Sequence, residues 1–215
     1  MDFLNAYDIP EEVCQGPHSA AFRQFLHHWF VDSFALSRGE VDVSFINDLT
    51  PHENEIAKGL LRRNLKLRYT HIIEGAAVMA DVGAVPLLRA MLADEPDLSR
   101  QLTIAGTLWK LVRDPSFVDC LNRMKASESS ALKQAHFHQI LWIGDERAID
   151  LLIDMLEDKD KFVRFLALST LNGLESGHRF QVPENKLPCR AADYQKRRQD
   201  RVLRELLVGN LATIK

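Results

Sequence analysis

Apolar residues recur along this chain at intervals of three and four, and polar turns interrupt the recurrence at regular places. Between Gly144 and Leu174, Ala148, Leu151, Leu152, Met155 and Leu156 share one helical face. Val163, Ala167, Leu171 and Leu174 form a second stripe. Asp158-Lys159-Asp160 separates the two, with Asp160 placed as an N-cap. The pattern predicts a helix, a tight turn and a second helix. A lone hairpin of this size cannot bury both stripes, so it requires similar hairpins beside it.

The same rhythm runs upstream. From Ser19, the residues Phe22, Phe25, Leu26, Trp29, Phe30 and Phe34 predict an aromatic amphipathic helix ending near Arg38-Gly39. It reads as an end cap over the first repeat, or alternatively as an aromatic docking surface. Val41, Val43 and Phe45 alternate with polar residues, but no partner strand follows, so a loop is expected there. Thr50-Pro51-His52-Glu53 carries the capping-box spacing, with proline at the first helical position. That helix should reach about Asn64, and a second should run from Leu67 to about Ala80.

Ala84-Val85-Pro86-Leu87-Leu88, Phe117-Val118-Asp119-Cys120-Leu121 and Ala148-Ile149-Asp150-Leu151-Leu152 align with one another. Their final leucines stand 33 and 31 residues apart. A period in the low thirties with two helical patterns per period is the signature of an α-solenoid. Second helices are expected near 98–112, 128–143 and 160–174, and Asp114-Pro115 is expected to cap one of the first helices. Residues 176–190 read as a loop. A last helix is expected from Ala191, with a basic first half from Lys196 to Arg204. The expected organisation is a capping segment over 1–49, repeats over 50–176 and a loop with a closing helix over 177–215.

Gly144-Asp145-Glu146-Arg147-Ala148-Ile149, then Leu151-Leu152, Asp158 and Val163-Arg164, resemble a HEAT repeat of the short bacterial, PBS-lyase-type variety. The resemblance is strongest over 144–174, weaker over 82–113 and 114–143, and extends by position to 50–81. It implies an all-α fold: a right-handed solenoid of helical hairpins, with an N-terminal capping helix and a C-terminal helix. The families it points to include scaffolds, phycobilin lyases, DNA glycosylases, an iron-dependent hydroxylase and polypeptide inhibitors. The aromatic helix followed by a capped Leu-Thr-Pro helix is also similar to small bacterial HEAT proteins that neutralise toxins.

Composition narrows the field. The 215 residues carry a formal net charge of −3, against the strongly basic balance expected of a dedicated nucleic-acid binder. Three scattered cysteines fit free thiols in a reducing compartment better than a disulfide framework. No signal-peptide pattern or membrane-length apolar run is present, so the cytoplasm is the expected location.

Catalytic chemistry finds little purchase. The hydroxylase relatives hold iron with repeated His-Glu pairs, whereas this chain has His52-Glu53 alone, and capping already accounts for Glu53. His136 and His138 are two apart on an expected helix and diverge, as do His27 and His28. No nucleophile elbow or phosphate-cradling glycine loop is present. Cys120 lies on an apolar face and reads as a core residue.

No catalytic residue, metal site or cofactor is therefore expected. In solenoids of this kind the second helices line the concave face. The candidate partner-binding residues there are Arg100, Trp109, Lys110, His136, His138, Trp142 and Arg164. Arg164 has a competing role, pairing with the acidic turn beside it. The expected function is a non-enzymatic adaptor or inhibitor that blocks another protein sterically. Its specific version is an immunity protein whose acidic surface clamps a basic toxin domain. The alternatives are a nucleic-acid binder using the basic runs Arg62, Arg63, Lys66, Arg68 and Lys196 to Arg204, or a DNA-lesion glycosylase with a positive channel joining Arg62, Arg100, Lys110 and Arg164, and a tetrapyrrole lyase or chaperone.

Overall fold

The computed structural model describes residues 7–33, 42–176 and 207–210, and every regular element among them is helical. The chain divides into two units, 1–114 and 115–215.

In the first unit a short helix α1 (Glu11–Gln15) precedes α2 (Ala20–Leu26), which continues as a π-helical turn over His27–Val31. Ser19 caps α2 through its side chain, which accepts from the Phe22 N–H at 3.1 Å. The aromatic stripe faces inward: Phe22, Phe25, Trp29 and Phe30 are all buried. The end-cap reading fits these four, while Phe34 and Arg38-Gly39 lie outside the described residues.

After a 3₁₀ segment at Val43–Asp48, where a loop was expected, α3 runs Pro51–Asn64. Its start is the capping box read from the sequence. Thr50 Oγ1 accepts from the Glu53 N–H, and the Glu53 carboxylate accepts from the Thr50 N–H at 3.0 Å. The other Glu53 oxygen accepts from the Ser19 N–H at 2.8 Å, so one carboxylate serves the starts of both α2 and α3. These donors hold its pKa down to about 2.

A 3₁₀ turn (Leu65–Leu67) and a left-handed Arg68 (φ 57°) then interrupt the helical path. The next helix, α4 (Thr70–Val78), therefore starts three residues later than the apolar pattern predicts. Gly75 marks the point of closest approach: a Cβ there would lie 2.5 Å from Trp29 Nε1. α5 (Val85–Ala93) and α6 (Leu98–Val112) form a hairpin, α4 packs on α6, and α3 packs on α4.

The second unit repeats the scheme with α7 (Ser116–Ala126), α8 (Ser130–His136), α9 (Glu146–Asp154) and α10 (Lys161–Ser176). α9 and α10 form a hairpin, and α8 lies against α10. Both stripes read for this hairpin are buried, and Asp160 caps α10 by accepting from the N–H groups of Phe162 (2.8 Å) and Val163 (3.1 Å).

The N-cap position of α7 is Pro115, one residue past Asp114, and the Asp114 carboxylate takes the Arg89 guanidinium at 2.9 Å. The helix expected over 128–143 is α-helical only to His136. It continues as a 3₁₀ segment over Phe137–Ile143 and ends at left-handed Gly144. The aromatic and β-branched run Phe-His-Gln-Ile-Leu-Trp-Ile has weak α-propensity, so tertiary packing sets its geometry.

The loop and closing helix expected after residue 176 lie outside the described residues, except for 207–210. There the Asn210 side chain donates to the Leu174 carbonyl at 2.6 Å.

Candidate functional site

Three of the candidate residues belong to the first unit. Arg100, in the first turn of α6, holds the Glu95 carboxylate at 2.9 Å. Trp109 is buried, with the Arg113 guanidinium 5.2 Å from its ring centre. Lys110 is exposed, but surrounding protein lowers its pKa, opposed by the Glu74 carboxylate on α4.

The other four belong to the second unit. His136 is buried. His138 is exposed and meets the half-buried Trp142 edge-on at 5.4 Å, and Trp142 stacks on buried Phe117 at 6.0 Å. Arg164 folds back and donates to the carbonyls of Asp158 (2.6 Å) and Lys159 (2.9 Å). Its expected pairing with the adjacent turn thus takes the form of capping that turn's carbonyls.

The turns that enter the second helices share one construction. At Glu95-Pro96-Asp97, the Glu95 carboxylate accepts from the Asp97 N–H at 3.1 Å, and Asp97 caps α6. Gln101 donates back to the Glu95 carbonyl. At Asp158-Lys159-Asp160, Asp158 accepts from the Asp160 N–H at 2.9 Å, Asp160 caps α10, and Arg164 donates to the Asp158 carbonyl. At Ser127-Glu128-Ser129 the serine hydroxyls do the same work more weakly, and Ser129 caps α8.

In the two acidic turns the first acid is also an anchor. Glu95 has no side-chain exposure and takes Arg68 at 2.6 Å as well as Arg100, which brings its pKa down to about 2. Asp158 takes the buried Lys133 ammonium at 2.5 Å. Sequence reasoning missed these pairs, because their partners stand 27 and 25 residues away.

The charge runs change meaning once the partners are visible. Arg62 pairs with Asp81, Lys66 with Asp8 and Arg68 with Glu95, each within 2.9 Å, and Arg63 lies 3.9 Å from Asp8. Arg62 and Arg68 therefore face buried carboxylates, while Lys66 and Arg63 face the exposed carboxylate of Asp8. The second basic run, Lys196 to Arg204, lies outside the described residues. Several acids of the repeat region are also occupied. Glu95 and Asp158 are ion-paired inside, Asp97 and Asp160 cap helices, and Asp154 holds Lys125 at 2.7 Å.

One feature was not singled out from the sequence. Phe162 and Phe165, in the first turns of α10, stack on each other with centroids 6.1 Å apart and remain 48% and 37% exposed. They stand one and two places off the buried stripe of Val163 and Ala167. That misfit to the core pattern was the available signal.

Among the described residues, no three of His, Cys, Asp and Glu converge as a metal-binding group. Burial pushes the Cys120 thiol up, away from thiolate chemistry. No described helix is long and apolar enough to cross a membrane. A family model described as HEAT repeats matches residues 85–172. Neither a curated protein nor a solved structure matches the chain.

Proposed function

The chain carries HEAT repeats over residues 85–172, and on that premise we propose that it is a protein-binding module acting by steric engagement of another protein. The observation that carries this reading is the solvent-facing stack of Phe162 and Phe165. Two large aromatic rings left largely exposed, beside half-buried Arg164, match the aromatic and arginine enrichment of protein interfaces. The finer version is an inhibitor, including an immunity protein that neutralises a toxin. The nucleic-acid alternative draws less support, because Arg62 and Arg68 are held by buried carboxylates and Lys66 pairs with Asp8.

Affinity capture with the unaltered chain and with a Phe162→Ser/Phe165→Ser variant tests the reading. The expected result is a protein retained by the first and lost by the second while both remain folded. Identical capture by the two, or no stable protein partner, would overturn it.

A further inference from the structure

The segment Tyr7–Ile9 lies on the first unit without belonging to any helix, and the way it is held points to a recognition site filled from within the chain. Asn64, at the end of α3, is wholly buried, and its side-chain amide grips the backbone of Asp8 on both sides. Its Oδ1 accepts from the Asp8 N–H at 2.7 Å, and its Nδ2 donates to the Asp8 carbonyl at 3.2 Å. The remaining amide hydrogen goes to the Leu60 carbonyl at 2.8 Å. Such a grip reads main chain, not side chain, so an extended segment of other sequence satisfies it equally.

Selectivity comes from the two flanking places. The Tyr7 ring sits edge-on to Phe30 (5.2 Å), Tyr69 (5.9 Å) and His71 (6.3 Å), three sides of an aromatic box, with its hydroxyl 3.3 Å from His71 Nε2. The Asp8 carboxylate meets Lys66 at 2.9 Å and Arg63 at 3.9 Å, and both cations are more than half exposed. The chain thus presents an aromatic box, a backbone clamp and a cationic rim in a row.

We propose that this row is a binding site for an extended protein segment carrying an aromatic residue followed by an acidic one, and that Tyr7-Asp8 occupies it as an internal competitor. The occupant is specified by charge and shape: an acidic side chain for the Lys66–Arg63 rim and a planar ring for the box. The site shares no residue with the Phe162–Phe165 stack, so either proposal can fail alone. A segment held within the same chain competes at high effective concentration, and an incoming partner gains access only to the fraction of molecules whose box is open.

The test uses the full chain, unaltered and as a Tyr7→Ala/Asp8→Lys variant, with a fluorescent peptide of residues 7–12, Tyr-Asp-Ile-Pro-Glu-Glu, as probe. The variant should bind the peptide at least about tenfold more tightly than the unaltered chain, because its internal competitor is gone. Adding Lys66→Glu to the variant should remove that gain, and a scrambled peptide of the same composition should not bind. Circular dichroism reports folding alongside. Equal binding by both chains, no binding by the folded variant, equal binding of the scrambled peptide, or unfolding of the variant would each overturn the proposal. The last of these would make the segment an integral part of the core.

Discussion

The turn from Glu95 to Gln101 and the turn from Asp158 to Arg164 are built alike, 63 residues apart, yet the helices they launch meet their surroundings differently. Both turns bury a carboxylate, cap with an aspartate two residues on, and are braced by the side chain six residues on. Beyond the turn, α6 is enclosed, and every residue from Leu102 to Trp109 is buried. α10 keeps one buried stripe and shows its other side, so Leu102 is wholly buried while its counterpart Phe165 faces solvent. The shared turn therefore fixes where a second helix begins, not what its free face does.

The anchors differ as well, and this gives the sharpest way to break the comparison. Asp158→Ala strands Lys133, whose side chain is 6% exposed, and should cost ~3–5 kcal/mol in urea denaturation followed by circular dichroism. Leu108→Ala and Leu171→Ala, at equivalent places and both wholly buried, should each cost ~2–5 kcal/mol. Trp29 and Trp109 in the first unit and Trp142 in the second let fluorescence assign each loss to its unit.

Glu95→Gln should cost less than Asp158→Ala, ~1–3 kcal/mol, because Arg68 and Arg100 are 35% and 49% exposed and can return to water. Equal costs for the two would end the contrast between anchors. Phe162→Ser should cost at most ~1 kcal/mol, the scale of a surface aromatic contact.

Acid sharpens the same picture. The pKa values of Glu53 and Glu95 lie well below the ordinary 4.5, at about 2. Their contribution is complete above about pH 4.5 and is lost as pH falls toward 2. Glu95→Gln should flatten that part of a stability-versus-pH curve, measured from the urea midpoint at each pH.

Local chemistry was readable in the sequence wherever cause and effect stood within one turn. Thr50 and Glu53 close their capping box, Asp160 caps α10, and α6 spans the residues its periodicity marks. The reading failed where a distant group competed. Asp114 reads as part of a helix start, and its pairing with Arg89, 25 residues back, is not written in the local spacing. Arg100 looked like a free cation, but a carboxylate five residues back holds it. The repeat period was legible because it is written in apolar side chains, whereas the salt links that anchor the turns depend on pairings that spacing alone does not reveal. The aromatic pair at 162 and 165 was visible as letters, but only packing shows that both rings stay largely exposed.

Gly75 carries a last consequence. The indole of Trp29 rests where any side chain at that position would have to be. The seal between the aromatic helix and the body of the first unit is thus secured by an atom left out, and substituting even a methyl group there would prise the indole off the backbone it rests on. Position 75 is a keyhole whose shape is fixed by the tryptophan that fills it.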